Sequence, residues 1–166
     1  MDSLSSDASM VAAKPANKAL VSAALRMLSR RDYCRNEFID KLTSKEFGKE
    51  EVEGAADWCC AQGFLNEARF AEGTARRLGA KYGSLRVAHT LRQKGVADEQ
   101  IGAVILTLKE NEHDRARALW NRKFGSVAES AEEKSKQIRY LQSRGFSFST
   151  IKQVISGASD GVGDRA

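Results

Sequence analysis

The sequence predicts an all-α protein made of three tandem three-helix repeats that form an elongated, curved array. Three observations predict it. Apolar residues recur at helical spacing along most of the chain. The one proline, Pro15, lies near the N-terminus, so nothing beyond it breaks a helical hydrogen-bond ladder. One pattern of spacing occurs three times, the signature of a repeat architecture. Aromatic residues make up only 7% of the chain, and the β-branched and aromatic runs that favour strands are absent.

The repeat is set by its leucines. Leu42, Leu91 and Leu141 are each followed by a base three residues on (Lys45, Lys94, Arg144) and a bulky apolar residue at five (Phe47, Val96, Phe146). An aliphatic residue follows at ten (Val52, Ile101, Ile151). This reads as a helix, a tight turn and a second helix. Gly95 and Gly145 fit the left-handed position past a helix end at little steric cost. Repeat one has Glu46 at that position, so its turn is expected to differ slightly. Lys94 and Arg144 complement the dipole of the last turn.

After each turn helical period resumes, through Ile101, Val104, Ile105 and Leu108 in repeat two. Val52, Ala55, Ala56 and Cys59 are the counterpart in repeat one, and Ile151, Val154 and Ile155 in repeat three. A third helix opens each unit, marked by Val21, Ala24, Leu25 and Leu28, then by Ala71, Ala75, Leu78 and Tyr82, then by Ala116 and Leu119. Asn66 and Ser84 suit the N-cap role, since their side-chain oxygens can accept from first-turn amides.

The helices are predicted near 16–29, 34–44, 49–61, 67–81, 85–93, 98–110, 113–124, 130–143 and 148–156. The repeats then span 16–64, 65–110 and 111–156, between disordered tails at 1–15 and 157–166. Each unit has a small core and should lean on its neighbour.

Charge narrows the function. The chain carries +5 overall, and 30% of its residues are charged, which suits an anionic partner without choosing one. From Asp32 to Glu67 nine acids face four bases. From Arg69 to Gly95 the balance reverses: Arg69, Arg76, Arg77, Lys81, Arg86, Arg92 and Lys94 stand against Glu72 alone. Arg77 and Lys81 are four apart on a helix, where like charges repel unless screened or partnered. The plain reading is a solvated helix face. The sharper one is a contact surface for an anionic groove, phosphate or protein, and those seven residues are its candidates.

Catalysis finds no support. His89 and His113 lie in different repeats, and adjacent Cys59 and Cys60 lack the gap of a metal-binding pair. No phosphate loop, nucleophile elbow or metalloprotease signature is present. Neither a catalytic centre, a metal site nor a cofactor is expected. Three cysteines, Cys34, Cys59 and Cys60, with no signal peptide and no membrane span, indicate a reduced cytoplasm.

The chain resembles the RecX regulators of the RecA recombinase. The run from Leu65 through Asn66 and Glu67 to Phe70 and Ala71 is similar to a family motif. So are Gly83, Ser84, Leu85, Arg86 and Val87 with Leu91, Lys94, Gly95 and Val96, and Arg144, Gly145, Phe146 and Ser147 in the third repeat. The resemblance covers about residues 18 to 156. It departs at Asn66, where an acid is usual, and at Glu46, where glycine is missing. It implies tandem three-helix repeats and a monomeric modulator, mainly an inhibitor, of homologous recombination. The implied partner is the RecA filament on single-stranded DNA, and an elongated array is expected to lie along its groove. The alternative is a single-stranded nucleic-acid-binding protein that competes with the recombinase.

Overall fold

The structure is a computed structural model and describes residues 12–160. Among the described residues there are nine helices and no strand. They are α1 (Lys18–Leu28), α2 (Arg35–Thr43), α3 (Lys49–Ala61), α4 (Glu67–Gly79), α5 (Ser84–Gln93), α6 (Asp98–Glu110), α7 (Glu112–Lys123), α8 (Ala131–Ser143) and α9 (Phe148–Asp160). The chain divides into two compact units, up to Glu67 and from Ala68 onward. The first holds repeat one; the second holds repeats two and three.

In the first unit the predicted stripes converge. Phe38 and Leu42 of α2 and Val52, Ala55, Ala56 and Cys59 of α3 pack with Leu20 and Ala24 of α1. Complete burial of a side chain such as Phe38 or Leu42 stabilises by about 1.5–3 kcal/mol. Asn17 caps α1, its Oδ1 accepting from the Leu20 amide at 3.1 Å. In the second unit Val87, Leu91, Val96, Ile101 and Val104 are buried in repeat two. Repeat three closes on Ala116, Leu119, Trp120, Leu141, Phe146, Ile151, Val154 and Ile155. There the Trp120 indole donates to Gln137 Oε1 at 2.9 Å, so its N–H is satisfied inside the core.

The three turns share one backbone state. Glu46, Gly95 and Gly145 have φ of 69°, 76° and 80°. Their amides donate to the equivalent carbonyls of Thr43, Arg92 and Gln142 at 3.1, 3.0 and 2.9 Å. The difference expected at Glu46 is absent from its φ and shows instead at the helix end, where α2 is capped at Ser44, one position earlier in the repeat than Lys94 and Arg144. Phe47 must return to the apolar cluster of repeat one, and the left-handed residue is what reverses the chain. Glutamate there costs about 1–2 kcal/mol that glycine would not.

Two further expectations change. Ser84 is the first residue of α5, after Gly83, and its hydroxyl turns to a distant carboxylate instead of capping its own helix. The last helix does not stop at 156: α9 continues through 160, into the stretch assigned to a disordered tail. Gly157 stays out of the left-handed region. A Cβ there would lie 3.3 Å from Arg117 Nη1, so α9 still runs beside α7 at this point, and that packing offsets glycine's low helix propensity. Of the expected N-terminal tail, residues 12–15 carry no helix, and residues 1–11 with 161–166 lie outside the described residues.

Candidate functional site

Helix α4 buries Phe70, Ala71, Thr74, Ala75 and Gly79. At 100° per residue this leaves Arg69 and Arg76 along the middle of the opposite face, two turns apart, with Arg77 on one flank and Glu72 on the other. All three arginines are exposed, as is Lys81 just beyond the helix end. The structure therefore gathers four of the seven predicted residues around one helix.

The other three lie away from that helix. Arg92 pairs with Asp98 at 3.5 Å, both side chains well exposed, a contact worth little in water. Lys94 is the half-buried C-cap residue of α5. Arg86 is turned toward repeat three: its Nη1 donates to the Ser143 carbonyl at 3.0 Å, and its guanidinium lies 4.4 Å from the centre of the Tyr82 ring.

That arginine belongs to a joint that the sequence did not disclose. The two motif segments around Gly83 and Gly145 meet main chain to main chain. Gly83 N–H donates to the Arg144 carbonyl at 2.8 Å and Leu85 N–H to the Gly145 carbonyl at 3.1 Å. A Cβ on Gly83 would fall 2.3 Å from Gly145 O, and one on Gly145 2.4 Å from Arg86 Cβ. Only glycine fits at either place. Arg144 completes the joint, its guanidinium 5.7 Å from the centre of the Tyr82 ring and 5.2 Å from that of Tyr140.

Two residues of the first turn of α7 lock the same region. The Glu112 carboxylate is buried, and its Oε1 accepts from Ser84 N at 2.8 Å and Ser84 Oγ at 2.5 Å. Its Oε2 accepts from Thr150 Oγ1 at 2.8 Å and Ser147 Oγ at 3.3 Å. Burial by itself would raise the Glu112 pKa, but the hydrogen bonds from Ser84, Thr150 and Ser147 prevail and hold it below the usual carboxylate range. Arg115 satisfies carbonyls left over at helix ends: Gly79 at 2.6 Å, Tyr82 at 3.0 Å and Leu108 at 2.9 Å. Burial pulls its pKa down, against the opposing charge of Glu112.

Groups suited to reaction chemistry are dispersed. His89 is exposed on α5, and His113 sits 3.4 Å from its neighbour Asp114. Cys34 and Cys59 are buried and Cys60 is exposed. Burial pushes the Cys59 thiol up to about 11, which keeps it protonated and unreactive. Among the described residues no cluster of His, Cys, Asp and Glu could hold a metal ion. Nor is any helix long and apolar enough to cross a membrane.

Comparison with known proteins gives these features a context. Three family models match in order: the RecX first three-helix domain over residues 21–59, the second over 66–105 and the third over 110–155. The regulatory protein RecX of Ralstonia pickettii is 36% identical over 141 residues, covering 85% of this chain and 89% of that one. That of Chromobacterium violaceum is 35% identical, covering 86% and 93%. The crystal structure of RecX from Lactobacillus salivarius superimposes with a TM-score of 0.75 at 19% identity, over 85% of this chain and 95% of that one.

Proposed function

From the premise that this chain belongs to the RecX family of regulatory proteins, we propose that it acts in the cytoplasm as an inhibitor of a RecA-type recombinase. It binds the recombinase filament on single-stranded DNA along its groove. A ligand that prefers the assembled filament to free subunits shifts the filament's state by that difference in affinity. One observation carries the reading: α4 presents Arg69, Arg76 and Arg77 on its outer side, with Lys81 just past its end. Such a ridge suits a negatively charged filament surface, where guanidinium groups form bidentate contacts with carboxylates.

Replacing Arg76, Arg77 and Lys81 together with glutamate tests it. The triple variant should inhibit recombinase ATP hydrolysis on single-stranded DNA at least tenfold less well, with an unchanged circular dichroism spectrum. Full inhibition by the folded variant removes this ridge from the mechanism.

Direct competition for single strands is the weaker reading. Base stacking needs several open aromatic faces, yet Tyr33 is buried and the Tyr82 and Tyr140 rings already carry Arg86 and Arg144, which leaves Phe148, 69% exposed, as the most open aromatic side chain. Affinity for naked single strands should accordingly be weak and fall steeply with salt.

A further inference from the structure

The joint between repeats two and three also brings together two stretches that contain no acid. Residues 73–97 hold six bases and residues 134–159 hold five, without one Asp or Glu in either. From these stretches Arg86 and Arg144 converge on Tyr82, whose ring centre lies 4.4 Å from one guanidinium and 5.7 Å from the other. Arg86 uses one of its five N–H donors on the Ser143 carbonyl, and Arg144 reaches the Lys81 carbonyl at 3.5 Å. Both guanidiniums are thus held in place with donors left. Among the described residues, none of Lys81, Arg86, Arg144 and Lys152 has a carboxylate within ion-pair distance. The joint's own carboxylate, Glu112, is buried, already accepts from Ser84, Ser147 and Thr150, and is opposed by Arg115. Phe148 follows Ser147 and opens α9 with its side chain 69% exposed. Among the described residues no other ring lies against it. Lys152, also exposed, is one turn further along the same face of α9.

We propose that this joint grips a short length of single-stranded nucleic acid, with a base stacked on Phe148 and phosphates on Arg86, Arg144 and Lys152. The contact adds to the filament binding proposed above and does not rest on it. Uniform charge selects the class of ligand. A phosphodiester chain is anionic at every link, so it can face several unpaired cations in succession. A protein surface in the same place would have to present carboxylates alone. Guanidinium groups match phosphate oxygens two N–H bonds at a time. An open aromatic ring with cations on both sides is the arrangement by which proteins hold single strands without reading their sequence. One open ring takes one base, so the grip spans a few nucleotides and is weak on naked strands.

The test measures the Kd of the full chain for fluorescein-labelled oligo(dT) by anisotropy over a salt series, beside inhibition of ATP hydrolysis by recombinase filaments. Phe148→Leu keeps the apolar bulk and removes the ring, and Phe148→Tyr restores a ring. Lys152→Gln removes one cation. All three change exposed side chains, and circular dichroism melts check that each variant folds. The wild type should bind oligo(dT) at low salt and lose affinity steeply as salt rises. Phe148→Leu should weaken binding about tenfold at every salt concentration, the effect of one lost base stack, and Phe148→Tyr should recover most of that loss. Lys152→Gln should lower the slope of log Kd against log salt by about 0.7, the share of one phosphate contact on a single strand. An oligo(dT) affinity that Phe148→Leu leaves within twofold, or a salt slope that Lys152→Gln does not change, overturns the assignment. Losses confined to the recombinase filament, with oligo(dT) binding unaltered, would make the ligand a protein and overturn it equally. Filament inhibition by a wild type that does not bind oligo(dT) removes this contact and leaves the proposed function standing. Binding to oligo(dT) without filament inhibition does the reverse.

Discussion

Repeat one and the pair formed by repeats two and three answer the same shortage of core in opposite ways. The first unit gathers apolar side chains from all three of its helices into one cluster. Its ion pairs Arg31–Glu37 at 2.7 Å and Arg35–Asp57 at 2.8 Å lie toward solvent. The second unit adds a polar joint: a buried carboxylate, a carbonyl-capping arginine and two backbones in contact at Gly83 and Gly145. Apolar packing is made of many small, interchangeable contributions. A buried polar joint has few parts, each costly to leave unsatisfied. The second unit should therefore fail abruptly where the first degrades gradually.

The largest expected effect is on Glu112. Glu112→Ala leaves the Ser84 amide and hydroxyl and the Thr150 hydroxyl without their acceptor, at a cost of about 3 kcal/mol. Hydrogen exchange should show protection lost in α5, α7 and α9, with α2 and α3 as the internal reference. Equal loss in α2 and α3 would break the contrast between the units. Gly145→Ala comes next, at about 2–3 kcal/mol, since it combines a left-handed φ with a clash against Arg86. A chemical denaturation midpoint measures it.

Acid should act on the same joint. Because the folded-state pKa of Glu112 is depressed, its stabilisation is complete above the unfolded value of about 4.3. It is lost as pH falls through the lower folded value. Glu112→Gln should flatten that acid limb, and an unaltered pH profile would show that the carboxylate's charge contributes nothing. In the first unit the effects are smaller. Glu46→Gly should raise stability by up to about 1 kcal/mol, the relief of strain being partly offset by a freer unfolded chain. Asp57→Asn should change it by less than about 0.5 kcal/mol, because Asp57 is 57% exposed.

The helices were legible because each has a buried stripe of period 3.6, as in Ile101 and Val104 or Ile151 and Val154. The turns were legible because Gly95 and Gly145 fall where the leucine spacing asks for a reversal, although only the coordinates show Glu46 in the same state. The joint was not. Glu112 lies 28 residues from Ser84 and 38 from Thr150, and no periodicity connects one polar residue to another at such separations. For the same reason Ser84 reads as a helix cap and Arg86 as a partner contact, Arg144 reads only as a complement to its own helix dipole, and Arg115 carries no signal at all. The ridge on α4 was readable in part, since Arg69 and Arg76 are seven apart.

The contact at Gly83 and Gly145 also bears on how such a protein can change over time. Two main chains that bond to each other ask nothing of neighbouring side chains except that both positions stay bare. Sequence around the seam can then drift widely while the angle between the repeats is held by amides and carbonyls that every residue carries. A shared architecture at 19% identity is what such a seam permits.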